Sequence, residues 1–194
     1  MKMKTLLFGL FMWISISAYS QFELKFEPIS AIFGRVSVAS EYVFKDNMGA
    51  EVAFGYSYDA PLIFMFSEEV KDVSGLTFSG AFKFYFNPDK GGDKFYAFPY
   101  IRYYKSNFTL VDNNIEYEGD YNTFGFGFGV GWKIIAKSGI LFDFNFGVGK
   151  NVSGETNFTP DYTTDADEYS PINLVGGISL GYRFGGVKET AVKE

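Results

Sequence analysis

Residues 121–135, with the sequence YNTFGFGFGVGWKII, place a large apolar side chain at alternate positions and glycine at most of the positions between them. A β-strand projects successive side chains to opposite faces of its sheet. One face of this segment therefore carries aromatic rings, whereas the other is close to bare backbone. Whether the rings point into a protein core or outward into lipid decides what kind of molecule this chain is.

The same alternation recurs along most of the chain and predicts an all-β fold after residue 20. Eight candidate strands cover residues 22–32, 35–44, 50–58, 76–86, 95–109, 122–135, 140–150 and 172–184. Short turns alternate with long connections, and the predicted long connections are residues 59–75, 111–121 and 151–171. An even number of strands with short turns at one end and longer loops at the other is typical of outer-membrane β-barrels.

The face opposite the rings carries glycine, alanine, serine and a few charged residues. If the rings formed the core of a soluble barrel, water would meet a surface with few charges, and the glycines would weaken the strands without benefit. In a closed eight-stranded barrel the lumen is only just wide enough for side chains, so inward glycines relieve crowding. We therefore predict an eight-stranded antiparallel up-and-down transmembrane β-barrel whose rings face lipid.

Charged residues on the inward face are nearly balanced in sign, as buried charges require. We expect them to form an ion-pair network inside the lumen rather than to line a wide channel. The predicted members are Glu41, Glu51, Asp143, Arg35, Lys83, Lys133, Arg183 and Arg102.

Tyrosine and tryptophan gather at the two interfaces of a membrane barrel. The residues predicted for the girdle at the loop end are Tyr56, Tyr58, Tyr103, Tyr104, Tyr121 and Tyr169, and those for the turn end are Tyr42, Tyr85, Tyr96, Trp132 and Tyr182. Pro28 and Pro99 each remove a donor from a predicted strand, so we expect each to lie at a bulge or near a girdle.

Residues 1–20 have the pattern of a secretory signal peptide, with a basic start, an uncharged stretch over 5–18 and small residues at the end. The uncharged stretch is shorter than the roughly 20 residues that a helix needs to cross a bilayer. We therefore predict a signal peptide over 1–20, a barrel over 21–184 and a short polar tail over 185–194.

The chain is acidic, with a formal net charge of −6, and shows no basic patch that could hold a phosphate backbone. We therefore predict no nucleic-acid partner. Histidine and cysteine are both absent, which removes the commonest general base and transition-metal ligand together with any thiolate site. We expect no enzyme activity and no cofactor.

The predicted long loops are rich in acidic residues. In the segment DYTTDADE, the candidates for Ca²⁺ binding are Asp161, Asp165, Asp167 and Glu168, because hard cations take carboxylate oxygens. The spacing and glycine of an EF-hand are missing. Solvated loop tips are the favoured interpretation, and no metal site is predicted.

The chain resembles the small eight-stranded outer-membrane β-barrels of Gram-negative bacteria, of the OmpX and OmpA-barrel kind. The resemblance rests on the leader, on the alternation over residues 22–184, and on the closing strand GGISLGYRFGG at residues 176–186. It implies a place in the bacterial outer membrane, contact with outer-membrane lipid, and recognition of Leu180, Tyr182 and Phe184 by the barrel-assembly machinery.

A barrel of this size leaves no general aqueous pore, so we expect the function to lie in acidic extracellular loops. Surface binding, adhesion or envelope integrity are the expected roles, with an extracellular partner that the sequence does not identify. One alternative is a narrow channel for small or hydrophobic solutes, which would show conductance in planar bilayers. Another is a soluble secreted lipocalin-like β-barrel with a ligand in an apolar cavity.

Overall fold

The computed structural model describes residues 21–59, 70–112, 115–159 and 170–186. Its strands are β1 (Gln21–Phe26), β2 (Arg35–Lys45), β3 (Met48–Tyr58), β4 (Val70–Tyr85), β5 (Lys94–Asp112), β6 (Ile115–Ile135), β7 (Ile140–Thr159) and β8 (Ile172–Phe184). Each strand pairs antiparallel with the next, and β1 also pairs with β8, so the sheet closes into a barrel. A 3-10 helix, Ser30–Phe33, lies between β1 and β2.

Within the described ranges, no helix has the length and apolar character needed to cross a bilayer.

The distribution of residues between outside and inside is the reverse of that in a soluble protein. Phe128 and Phe146 are 69% and 60% exposed on the outer face of the barrel, whereas the side chains of Lys83, Lys133 and Arg183 are buried inside it. An exterior of exposed aromatic rings is unfavourable in water but favourable in the hydrocarbon of a bilayer. The prediction that the rings point outward is confirmed, and the soluble lipocalin-like alternative is wrong.

The glycines of β6 make room for aromatic rings that β5 projects into the lumen. The ladder places Tyr96 opposite Gly131, Phe98 opposite Gly129, and Tyr100 opposite Gly127. A Cβ atom at Gly129 would stand 2.7 Å from Cε1 of Phe98 and equally close to the backbone oxygen of Phe146. Since real Cβ atoms do not approach backbone atoms so closely, the bare face of β6 is a consequence of how the lumen is filled.

This packing shows that some of the tyrosines predicted for the interfacial girdles point into the lumen instead. Tyr85 and Tyr96 lie in the lumen, where they form a buried cluster with Phe98 and Tyr100. Outward positions are taken by Tyr42, Tyr56, Tyr103, Trp132 and Tyr182, whereas Tyr104 and Tyr121 pack against each other on the inner side. The ring of Tyr58 is half-buried, and its hydroxyl donates to the carbonyl of Ala31. Tyr169 lies outside the described residues.

Strand β1 is shorter than predicted, because it ends at Phe26 rather than at residue 32. Pro28 lies in the following turn, where its missing N–H removes no ladder bond. The chain then passes through the 3-10 helix and reverses at Gly34, whose φ of 76° is left-handed and suits glycine. The expectation of a continuous strand over 22–32 is therefore wrong.

Pro99 lies inside β5 opposite Phe128, so the expectation that it lies at a bulge or near a girdle is wrong. The β4–β5 ladder pairs Ala81 with Tyr100 and Phe84 with Ala97, but no pairs are formed between these two positions. The ladder on the β6 side continues without interruption through Pro99 and Phe128. The proline is thus accommodated by a local break in one ladder, which follows from its lack of an N–H donor.

The outer face of β6 changes character along the strand, and this change marks the edge of the membrane-facing belt. The polar outward residues are Glu116, Glu118, Asp120 and Asn122, and the apolar ones are Phe124, Phe126, Phe128, Val130, Trp132 and Ile134. Residues 124–134 match the roughly 9–11 residues that a tilted strand needs to span a bilayer. The remaining part of β6 therefore stands beyond the hydrocarbon.

Strands β5, β6 and β7 continue beyond this edge as paired strands, where long loops over 111–121 and 151–171 were predicted. Asp112 pairs with Ile115 at the tip of the β5–β6 hairpin, and Glu118 pairs with Thr159 of β7. We call residues 105–112, 115–122 and 153–159 the three-stranded extension. The predicted loop boundaries in these two regions are wrong, because the strands extend into them. The predicted loop over 59–75 is also too long, because β4 begins at Val70, which pairs with Leu110 beside the extension.

Candidate functional site in the barrel lumen

Two lysines and three carboxylates meet near the middle of the lumen. The Lys25 ammonium lies 2.6 Å from both Glu51 and Asp143 and also contacts Glu41. Lys83 Nζ lies 2.8 Å from Glu51, 3.0 Å from Asp143 and 3.2 Å from Glu41. Strand alternation brings these side chains together, because inward positions of β1, β2, β3, β4 and β7 converge on the barrel axis.

Lys133 links this group to a fourth carboxylate, that of Glu23. Its ammonium lies 2.7 Å from Glu23 and 2.8 Å from Glu41, and it donates to the Tyr85 hydroxyl at 2.6 Å. The hydroxyl of Tyr85 in turn contacts Glu41. Each ammonium therefore has several oxygen partners, which offsets the desolvation of a buried charge.

Arg183 occupies the turn end of the same assembly and is buried. Its Nε donates to Glu23 at 2.8 Å, and its Nη1 donates to Gln21 at 2.6 Å and to the carbonyl of Gly91 at 2.5 Å. A guanidinium presents five donors in a fixed fork, so one side chain can hold both a carboxylate and a backbone segment.

We call these residues the luminal ion network, and they are Glu23, Glu41, Glu51, Asp143, Lys25, Lys83, Lys133 and Arg183. Its formal charges balance, with as many carboxylates as cations. Buried charges in a sheet surrounded by hydrocarbon are tolerated only when they are paired in this way.

The connection between β4 and β5 closes the turn end of the lumen. Gly91, Gly92 and Asp93 are buried there. The N–H of Gly92 donates to the carbonyl of Asp46 at 2.6 Å, and its φ of 60° is left-handed. A Cβ at Gly92 would stand 2.9 Å from both methyl groups of Val43. Residues 91–93 and the luminal ion network thus close the turn end of the described lumen.

The predicted luminal charges fall into two groups. Those in the network are Glu41, Glu51, Lys83, Lys133, Asp143 and Arg183. Arg35 and Arg102 lie nearer the loop end, where Arg35 pairs with Glu27 at 3.0 Å and Arg102 donates to the carbonyl of Leu174 at 2.6 Å. Sequence reasoning missed Glu23 and Lys25, although the alternation in QFELKF placed both opposite the apolar face.

Carboxylate oxygens of Glu41, Glu51 and Asp143 lie within 4.8 Å of one another, a spacing that could hold a metal ion. The ammonium groups of Lys25 and Lys83 already contact all three carboxylates. The geometry therefore supports an ion-pair cluster rather than a metal centre. The loop candidates Asp161, Asp165, Asp167 and Glu168 lie outside the described residues.

Comparison with known proteins finds similar folds among solved structures but no similar sequence family. No protein-family model matches the sequence, and no curated protein matches it. Among solved structures, the chain is similar to a major outer membrane protein from Thermus thermophilus, with 14% identity, coverage of 85% of this chain and 99% of that one, and a TM-score of 0.54.

Two further structures are similar at lower TM-scores. They are the N-terminal β-barrel domain of OprF from Pseudomonas aeruginosa, with 10% identity, coverage of 85% and 96% and a TM-score of 0.43, and Neisserial surface protein A, with 11% identity, coverage of 86% and 96% and a TM-score of 0.41. The Thermus similarity, together with the closed ring of eight antiparallel strands, shows that this chain has the fold of an outer-membrane β-barrel.

Proposed function

We propose that this chain is an outer-membrane protein of a Gram-negative envelope that acts in surface binding, adhesion or envelope integrity. The observation that carries the proposal is the three-stranded extension, which stands beyond the apolar belt at the loop end while the opposite end of the lumen is filled. A barrel built in this way presents a surface outside the membrane and offers no through-path for general solutes.

The belt of outward-facing apolar side chains supports a location in the membrane. Apolar side chains face outward on every strand from β1 to β8, and closure of the sheet through the β1–β8 pairing lets neighbouring strands satisfy each other's backbone hydrogen bonds. The leader pattern of residues 1–20 fits export across the inner membrane. Leu180, Tyr182 and Phe184 face outward at the end of β8, where the barrel-assembly machinery would read them.

The extension is ordered by its own contacts. The rings of Phe108 and Phe158 meet edge to face at a centroid distance of 5.9 Å, and Gly119 leaves space for the Phe108 ring. Lys71 of β4 donates to Glu116 at 2.5 Å, and this hydrogen bond raises the pKa of Lys71. A pre-formed surface binds without first losing the conformational entropy of a free loop.

The outward face of the extension is acidic, with Glu116, Glu118, Asp120 and Glu155 all exposed. A partner of complementary charge is therefore basic, since like charges facing each other would repel and opposite charges steer association. No catalytic role is proposed, because the chain has neither histidine nor cysteine to serve as base or nucleophile.

Cysteine labelling of intact cells tests the proposal, since the natural chain has no cysteine. We expect Glu118→Cys to react with a polyethylene-glycol maleimide that is too large to pass porins. The matched variant Ser138→Cys, in the exposed β6–β7 turn, should react only after the envelope has been permeabilised. If Ser138→Cys but not Glu118→Cys were labelled in intact cells, the barrel would have the opposite orientation and the extension could not act at the cell surface.

A further inference from the structure

The barrel wall has a gap near its loop end, where β1 stops short of its neighbours. The last β1–β8 pair joins Phe26 to Leu180, whereas β8 begins eight positions further toward the loop end, at Ile172. Within the described residues, the segment 172–179 of β8 pairs only with β7. Beside it the chain leaves the sheet at Glu27, whose carboxylate fills the space next to Gly177.

A cavity of about 620 Å³ passes through this gap. On the luminal side it is lined by Arg35, Arg102 and Tyr104, and on the outer side by Phe146 and Ile178, which belong to the lipid-facing belt. A smaller cavity of about 70 Å³ lies deeper in the lumen and shares Arg35 and Arg102 with the larger one. The two cavities therefore adjoin each other at these arginines, the smaller one toward the lumen and the larger one toward the outer surface of the barrel.

The polar end of this space has an excess of positive charge and of hydrogen-bond donors. Arg35 pairs with Glu27, whereas Arg102 donates to a backbone carbonyl and lies over the ring of Tyr104, with no carboxylate partner among the described residues. The Nε atoms of both arginines and the hydroxyl of Thr77 are buried without a hydrogen-bond partner. Buried polar groups in folded proteins are normally satisfied, and a buried cation needs an anion.

We propose that this cavity binds a long-chain fatty acid. The carboxylate lies between Arg35 and Arg102 and accepts from their free Nε–H groups and from Thr77. The acyl chain leaves through the gap and lies along Phe146 and Ile178 in the hydrocarbon region.

Three features favour this occupant. Guanidinium forks match a carboxylate in geometry and charge. One anionic headgroup would neutralise Arg102, which has no carboxylate partner in the part of the chain that the structure describes. A route from a cationic lumen to a lipid-facing surface suits a molecule with one polar and one apolar end, and the volume falls within the roughly 300–1,000 Å³ of small-molecule pockets.

The experiment titrates the refolded protein, in a non-ionic detergent, with palmitate and with hexadecanol, which has the same chain but no charge. We expect saturable palmitate binding and an affinity for hexadecanol at least about tenfold lower, because hydrogen bonds to charged groups are lost. Arg102→Gln should weaken palmitate binding by a similar factor, and Arg102→Lys should retain part of it. The matched control is Lys105→Gln, an exposed cation of the same strand, which should leave binding unchanged.

Folding of every variant is verified by the mobility difference between unheated and heated samples in gel electrophoresis. Equal binding of hexadecanol and palmitate by the natural protein would overturn the proposal without reference to any variant. Binding by Arg102→Gln equal to that of the natural protein, or displacement of palmitate by an equal concentration of inorganic phosphate, would also overturn it. The surface function rests on other residues and would stand in each case.

Discussion

Replacing Arg183 by methionine is expected to lower the free energy of unfolding by about 3–5 kcal/mol, the range for removing one partner of a buried ion pair. The guanidinium is buried and holds Glu23, Gln21 and the carbonyls of residues 90–92. Methionine leaves Glu23 with Lys133 and Lys25 only and releases the connection that closes the turn end. Urea unfolding from lipid vesicles, followed by gel mobility, measures the change.

The double variant Arg183→Met with Glu23→Gln separates charge from packing. Removing the carboxylate as well as the cation should recover part of the lost stability, because the uncompensated charge is then gone. A loss for the single variant within the roughly 0–1 kcal/mol of exposed salt bridges would contradict a buried network at this end of the lumen.

The variant Phe128→Arg is expected to cost about 2–4 kcal/mol in folding into lipid, since that is the penalty for a cation on the lipid face near the midplane. Among the described residues, Phe128 is the most exposed large apolar side chain, and it lies near the middle of the apolar stretch of β6. Equilibrium unfolding in vesicles of fixed composition measures the difference from the natural chain.

The matched control is Glu118→Arg, which introduces the same side chain on the same face of the same strand, beyond the apolar belt. We expect little change for this variant, because its side chain stays in water. Equal losses for the two variants would mean that the polar-to-apolar change along β6 does not mark the edge of the bilayer.

The outward face of β6 could be predicted from the sequence because the alternation is long and large apolar side chains occupy the even positions from 124 to 134, opposite a row of glycines. Strand β5 carries aromatic residues at both parities, for example Phe95 outside and Tyr96 inside, so alternation alone could not assign its faces. The signal that resolves β5 is the glycine row of β6, which lies opposite its inward rings. That relation depends on register, which becomes available only when the two strands are paired.

Strand ends were less predictable for a related reason. Residues of the three-stranded extension meet water on their outer face, so polar side chains such as Glu118 and Asp120 occur there as they would in a loop. In the lumen, Glu23 and Lys25 follow the inward parity of β1, but Pro28 made that strand the least certain in the sequence. The gap beside β8 depends on where β1 ends, which no residue pattern specified.

Fluorescence quenching of Trp132 tests the orientation of the barrel most directly. Residues 21–194 contain no other tryptophan, and its ring is outward and 48% exposed. In vesicles whose acyl chains carry bromine, we expect strong quenching of this tryptophan, with much less from aqueous iodide. Full fluorescence in brominated vesicles would show that the ring is shielded inside the protein, and would contradict an exterior solvated by lipid.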